Sequence, residues 1–486
     1  MTDITLHSLK VSAAAPEIFL AFAACTILIV ALFLPERSRD QISYLLSILT
    51  LLATAVLISV QFADSITAAF NRMFVDDAMA DTLKIAMCVI SAAAFLYSRR
   101  YNEERGLFKS EYYVLGLFAV TGMMVMASAS HLLTLYLGLE LMSLCLYGMI
   151  AFYRDDKLAV ESAMKYFVLG ALASSILLYG MSLLYGLTGS LFLNEIAAYM
   201  STADHGNVGI ALAVVFVVVA LAFKLGAVPF HMWVPDVYHG APTSTTAFIG
   251  AAPKIAAFAI VMRLLVGGLE ELHHMWQQML IILALLSVAA GNIIAIAQSN
   301  FKRMLAYSTI SHMGFFLFGI LSGSETGYSA AMFYVTVYAV MSLAAFGLIL
   351  FLATANNESD DLDNLKGLSK RHPWSSLLVL ILMLSMAGIP PTAGFFAKLS
   401  VIQSLVNAGL VWVAIAAVIL AVIGAFYYLR VIKLVYFDEP ETDEKIENTT
   451  SMTWVLSANV LLIVAVLPWI DSILLLCNAV ISQLAL

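Results

Sequence analysis

Apolar residues run together in this chain in stretches of about twenty, and that spacing constrains the fold more than any other feature. A helix needs roughly 20 apolar residues to cross about 30 Å of hydrocarbon. Read with that window, the sequence predicts fourteen spans, at 17–34, 43–62, 78–97, 112–129, 131–152, 159–187, 208–238, 243–267, 276–298, 303–322, 329–354, 374–407, 411–436 and 453–476. In lipid the backbone must satisfy its own hydrogen bonds, which leaves helices or closed barrels. The runs are too long and continuous for barrel strands of about ten alternating residues. The expected fold is therefore all-α, a polytopic membrane protein of about fourteen transmembrane helices. Composition agrees, with 12% charged residues against roughly 25% in soluble domains.

The basic residues test that count. Odd-numbered loops hold Arg37, Arg39, Arg99, Arg100, Arg105, Lys109, Arg154, Lys157, Lys302, Arg303, Lys366, Lys370, Arg371, Arg430, Lys433 and Lys445; the even side holds only Lys10, Arg72 and Arg263. By the positive-inside rule the odd loops face the cytoplasm or its equivalent, and both termini face away. The polar start, MTDITLHSLK, lacks a signal peptide's basic region and cleavage site, so the first span is expected to stay in the mature protein. The net charge of −8 comes without any basic patch interleaved with aromatics, which argues against a nucleic-acid partner. Cys25, Cys88, Cys145 and Cys477 lie apart inside apolar runs, so no metal site, iron–sulfur cluster or disulfide framework is expected.

Five basic residues remain inside spans: Lys84, Lys165, Lys224, Lys254 and Lys398. A lysine at the bilayer centre costs roughly 2.5–3.5 kcal/mol on insertion scales. Lys224 is central in span 7, Lys254 in span 8, Lys398 lies in the second half of span 12, and Glu140 is central in span 5. One carboxylate cannot neutralise three lysines, so a chain of groups that exchange protons fits better than a Glu–Lys pair stapling helices. Lysine suits that work because removal from water makes it give up its proton more readily. Glu161 and Lys165 read either as a helix-stabilising i,i+4 pair or as part of a proton path. Lys84, near the end of span 3, is expected to snorkel. His231 and His312 are each either a satisfied polar group or a proton carrier.

Spans 7 and 12 carry prolines beside their lysines, in FKLGAVPFHMWVPD and MAGIPPTAGFFAK, so both helices are expected to break at mid-membrane. Such breaks persist only where protein or water covers them. Span 12 is five spans on from span 7, an odd step, so the two run in opposite directions. That predicts an inverted repeat of five-helix units, spans 4–8 (111–270) and spans 9–13 (271–440). Residues 1–110 then form an N-terminal three-helix segment and 441–486 a C-terminal span. Glu140 has no carboxylate counterpart in span 10.

The stretches YLGLELMSLCLYGM (136–149), VESAMKYFVLGALASSILLYGMSLLYG (160–186), FKLGAVPFHMWVPDVYHGAPT (223–243), KRMLAYSTISHMG (302–314) and MAGIPPTAGFFAK (386–398) carry a resemblance. Over about residues 110–440 the chain resembles the antiporter-like subunits of respiratory complex I, the proton-translocating NADH:quinone oxidoreductase, and its wording is most similar to the bacterial subunit N branch. Lysine at 398 fits that branch better than its paralogue M. The resemblance implies fourteen helices with two inverted repeats, in the bacterial inner membrane. It also implies proton translocation driven by quinone reduction elsewhere in the complex. Glu140 and Lys224 match the acid–lysine pair of the first half-channel, Lys254 the central lysine and Lys398 the terminal group of the second. Glu161, Lys165, His231 and His312 are secondary candidates. NADH, FMN, iron–sulfur clusters and quinone are implied in partner subunits, with no cofactor in this chain. The implied partners are the other membrane subunits, including the antiporter-like paralogues.

Other readings remain open. A subunit of a Na+/H+ antiporter complex would share the fold, and a scaffold would use the charges only to hold helices together. A haem-bearing quinone oxidoreductase needs paired histidines, and only His231 and His312 lie near span interiors. A stand-alone solute transporter lacks a binding constellation beyond lysines. The polar segment 355–373 is expected to be a solvated loop, and LFLNEIAAYM, within 188–207, to lie along the membrane surface.

Overall fold

The computed structural model describes residues 9–62, 65–354, 358–440 and 450–484. Lys445, and most of the polar N-terminal segment, lie outside the described residues. The architecture is the all-helical, polytopic one that the hydropathy predicts. Among the described residues twelve helices are long and apolar enough to cross a membrane, or thirteen when Thr450–Ala465 and Leu467–Ser482, bent by 43°, form one span. The remaining segment, expected as span 12, is split into Pro373–Ala387 and Ala393–Asn407, of 15 residues each. At 1.5 Å per residue neither half crosses the hydrocarbon alone.

Polar side chains at several helix starts cap the first turn. Asp156 caps the 32-residue span 6, Lys157–Thr188, by accepting from the Leu158 and Ala159 amides. Asn300 caps Phe301–Leu321 and Ser324 caps Glu325–Leu352 in the same way. Span 7 is broken: Val208–Leu225 ends at Gly226, and helix resumes only at Trp233–Gly240. Span 8 is broken as well, into Thr243–Ile249 and Ala252–Val261, then a π-helical turn Met262–Val266. That second break was not expected; Pro253, at the start of its second piece, is its only signal.

Close helix contacts rest on small residues, as lipid-embedded packing requires. A side chain added at Gly122 of Ser110–Ala127 would meet the Gly138 carbonyl of Leu132–Ile150 at 2.6 Å. Gly291 of His273–Ile296 sits equally close to Ser311 of the next helix. Within 188–207, Leu193–Met200 forms a short helix whose Leu193, Ile196 and Met200 are buried. Beside it lies a hairpin of Thr67–Ala69 against Phe74–Asp76. Both lie on the face opposite the one that carries the odd loops, called the basic face below.

Three expectations fail on tertiary contacts. Lys84 does not snorkel: it is fully buried, with Nζ 2.7 Å from Glu17 Oε1 of span 1. Lys302, assigned to a loop, is 2% exposed and donates to the Ala241 carbonyl at 2.9 Å. The described part of 355–373 is not a freely solvated loop. Glu358 accepts from Tyr101 and Thr243, Asn300 donates to Asp360 at 2.7 Å, and the Leu362 amide donates to the Ser299 carbonyl. Glu358 and Asp360 find donors distant in sequence, which a local window does not register.

Candidate functional site

Glu140 lies at the middle of Leu132–Ile150. Its carboxylate accepts a hydrogen bond from Ser174 of span 6. Lys224 is the penultimate residue of Val208–Leu225, so the break places it near the centre of the full span. Its Nζ donates to Ser143 Oγ at 3.0 Å, and Ser143 sits three residues beyond Glu140 on the same helix. Acid and lysine thus approach through Ser143, with no direct ion pair between them.

Lys254 is 2% exposed, and its Nζ donates at 3.2 Å to the Leu225 carbonyl. A helix leaves its last carbonyls without intrahelical partners, and the break after Leu225 presents one of them to Lys254. The negative end of the helix dipole lies there too, which favours a cation. The Trp233 ring, 5.3 Å away, adds its negative face. Lys224 and Lys254 both line one cavity of about 20 Å³, room for about one water.

Lys398 is held by the same device in span 12. Its Nζ donates to the carbonyls of Met386 and Ala387 at 3.0 and 2.9 Å, the last two residues of Pro373–Ala387. Gly388 follows with φ +83°, and a Cβ there would lie 2.7 Å from Lys398 Cδ. The Phe315 ring lies 5.2 Å from the ammonium. A cavity of about 10 Å³ joins Lys398 to His312, Asn292, Ser311 and Tyr428. His312, 2% exposed, bonds through Nδ1 to Tyr334 Oη at 2.6 Å and through Nε2 to Tyr428 Oη at 3.1 Å. Tyr428 in turn contacts Ser308.

The secondary candidates divide. Lys165 lies 2.8 Å from Glu161 and 2.8 Å from Asp236, which also accepts from Arg303 at 3.2 Å. This is an exposed network on the basic face. His231 lies in the break of span 7, and its Nδ1 is buried without an aligned partner among the described residues. Sequence reasoning missed Asp236, Ser143, Ser174, Tyr334 and Tyr428. Only Asp236 carried a signal, as the acid within the WVPD stretch. Among the described residues no group of three or more His, Cys, Asp and Glu side chains is arranged to hold a metal ion.

Buried ionisable groups gather in and beside the broken helices of a polytopic bundle, with Glu140 and His312 on the unbroken helices that face the breaks, the arrangement of an antiporter-like membrane protein. Residues 129–424 match the family described as NADH:quinone oxidoreductase/Mrp antiporter, transmembrane. The NADH-quinone oxidoreductase subunit N of Thioalkalivibrio sulfidiphilus is 55% identical over 92% of this chain and 94% of its own length. In the respiratory complex I of Thermus thermophilus, one chain superposes with a TM-score of 0.81 at 29% identity, over 95% of this chain and 99% of that one. A chain of the Mrp complex from Dietzia shares the fold, with a TM-score of 0.83 at 20% identity over 97% of each. The chain belongs to this proton-translocating antiporter-like family, on its complex I subunit N branch.

Proposed function

We propose that this chain moves protons through Glu140, Lys224, Lys254 and Lys398 as a membrane subunit of NADH:quinone oxidoreductase, driven by quinone reduction in partner subunits. The observation that carries the reading is the seating of Lys254 and Lys398 on carbonyls freed by broken helices. An ammonium held by backbone dipoles can lose its proton without stranding a buried carboxylate beside it. Ser143 links the Glu140 end to Lys224, and one water in the shared cavity would link Lys224 to Lys254. His312, with Tyr334 and Tyr428, continues the string beside Lys398. A change of charge at one site biases its neighbour, so the groups titrate as a chain. Glu161 and Lys165, with Asp236, collect protons at the basic face, and His231 serves the break in span 7.

The same reading assigns NADH, FMN, the iron–sulfur clusters and quinone to partner subunits, and makes the antiporter-like paralogues membrane neighbours of this chain. It puts the protein in the bacterial inner membrane with both termini periplasmic, so that the basic face meets the cytoplasm. It treats 111–270 and 271–440 as inverted repeats between the segments 1–110 and 441–486. The matched breaks in spans 7 and 12, and the glycine contacts of spans 4–5 and 9–10, support that division.

The test is made on the intact complex, purified through a tag on this chain and reconstituted in vesicles. Inhibitor-sensitive NADH:quinone reductase activity should co-purify, and Lys254→Ala should uncouple or stop proton translocation. Normal pumping by that variant in an assembled complex overturns the relay. A pure complex lacking flavin and iron–sulfur absorbance overturns the assignment to complex I. Because the fold is shared with an Mrp complex, sodium–proton exchange is the second reading. Sodium-dependent pH changes in vesicles without NADH would favour it.

A further inference from the structure

Toward the basic face, spans 1, 4 and 5 leave between them a cavity of about 470 Å³, lined by none of the residues assigned to the relay. That volume lies within the range of roughly 300–1,000 Å³ that small-molecule sites occupy. Span 4, Ser110–Ala127, gives it one face, on which Glu111, Leu115 and Phe118 recur at i, i+4 and i+7. Leu28, in span 1, also lines it and is 38% exposed. Span 5 adds Gly148 near its end and Phe152 just beyond it, the latter packed on Tyr112 with ring centroids 5.7 Å apart. The slot is roomy at Gly148, where a Cβ would meet only Leu115, at 3.4 Å.

The polar groups of this slot are confined to one end. Glu111 is the second residue of span 4, and Arg154 lies in the turn between spans 5 and 6, so both sit where the helices leave the membrane. Phe118 lies seven residues further along span 4, about 10 Å deeper at 1.5 Å per residue. The Arg154 amide donates to the Phe152 carbonyl at 3.1 Å, which fixes the turn that carries the guanidinium.

Neither the Glu111 nor the Arg154 side chain has a hydrogen bond or ion pair among the described residues. The charges around them are engaged or balanced. Lys109 has Asp40 at 3.9 Å, and Asp40 also accepts from the Ser110 amide and hydroxyl. Asp156 accepts from the Leu158 and Ala159 amides, while Asp155 and Lys157 are exposed and opposite in sign. The rim thus offers one cation and one anion, each without a partner, above an apolar slot. A guanidinium matches a phosphate, and a carboxylate accepts from an ammonium. A headgroup carrying both charges satisfies the rim, whereas a purely anionic one meets the carboxylate of Glu111.

We propose that this slot seats a zwitterionic phospholipid with a primary ammonium: its phosphate on Arg154, its ammonium on Glu111, and one acyl chain along Leu28, Leu115 and Phe118. Charges confined to one end of an apolar slot match a headgroup above a tail. The bound lipid ties span 1 to spans 4 and 5 at the edge of the bundle. The site does not depend on the relay through Glu140 and the three lysines. A neighbouring membrane subunit is the competing occupant.

Photolabelling of the intact complex decides between them. The complex is reconstituted in phosphatidylcholine vesicles with a tracer of phosphatidylethanolamine or phosphatidylglycerol that carries a photoreactive group on one acyl chain. Labelled peptides of this chain are then mapped. Those holding 111–118 and 148–154 should be labelled by the ethanolamine lipid, with a signal that saturates and is displaced by the same lipid without the photoreactive group. Arg154→Gln should lower that signal about fivefold, the weight of one basic side chain at a membrane surface. Glu111→Gln should bring it down to the level of the glycerol lipid, and Gly148→Met, which fills the slot, should abolish it. The two surface variants leave the core untouched, so they decide where Gly148→Met does not assemble. The proposal falls if these peptides stay unlabelled, as a covering subunit would leave them, or if their signal rises with tracer without saturating. It also falls if the two lipids label equally or if Arg154→Gln and Glu111→Gln leave the signal unchanged.

Discussion

Lys254 of span 8 donates to the carbonyl oxygen of Leu225 in span 7, at 3.2 Å. One lysine is thereby held by the broken backbone of a neighbouring helix, and the break and the charge stabilise each other. The unpaired carbonyl gains a donor, and the buried ammonium gains a dipole end. Lys398 repeats the arrangement with the carbonyls of Met386 and Ala387 from its own span.

Lys254→Met keeps the length of the side chain and removes both the donor and the proton. Proton translocation per NADH oxidised is expected to fall clearly, because a positioned proton-transfer group contributes about a hundredfold or more to the step it serves. Acidification of reconstituted vesicles, recorded together with NADH oxidation, measures it.

Gly388 takes φ +83°, a conformation that L side chains rarely adopt, and a Cβ there would lie 2.7 Å from Lys398 Cδ. Gly388→Ala should cost about 1 kcal/mol or more in backbone strain and move the Lys398 side chain. Thermal unfolding reads the first effect and vesicle acidification the second. Gly189→Ala, at φ +70° but with nothing within 4 Å, should show only the strain.

Arg263 and Asp77 form a two-pronged ion pair with side chains 8% and 4% exposed, and Arg263 also donates to the Ala127 carbonyl. Removing one partner leaves a buried charge alone, so Arg263→Met or Asp77→Leu should each destabilise by about 3–5 kcal/mol. The double variant should cost clearly less than the two together. A thermal-unfolding cycle over the four proteins measures that coupling.

Glu358 lies outside the spans, between Tyr101, Thr243 and Arg105. Burial alone would push its carboxyl up. The charge of Lys302, the hydrogen bonds from Tyr101 and Thr243, and the charge of Arg105 outweigh burial and hold it below the usual carboxylate range. A lowered folded value means that the ionised form stabilises the fold above about pH 4.3, the ordinary glutamate value. That stability is lost as pH falls through the folded value. Glu358→Gln should therefore lower the melting temperature near neutrality and flatten its fall in acid. Melting curves from neutral pH down to about pH 3 check the sign.

Much of the candidate site was legible because its signals are local. Lys224, Lys254, Lys398 and Glu140 stand out as charges in apolar windows, and Pro229 and Pro390 mark two of the breaks. Asp236 was passed over because its partners, Lys165 and Arg303, lie 71 and 67 residues away. Tyr334 and Tyr428, which hold His312, look like any aromatic residue in a membrane helix.

What the amino-acid sequence determined by itself is the class of fold, because hydropathy over a helix-length window fixes whether a segment can leave water. The same reasoning identified which lysines are expensive to bury and where two helices cannot run unbroken. What only the tertiary structure decided is how each charge is compensated. Lys254 and Lys398 rest on backbone carbonyls, which have no letter of their own in a sequence. Lys84 meets Glu17 through the packing of spans 1 and 3 instead of reaching for the surface. Burial of a charge is a property of a window, whereas its partner depends on which helix faces meet in three dimensions.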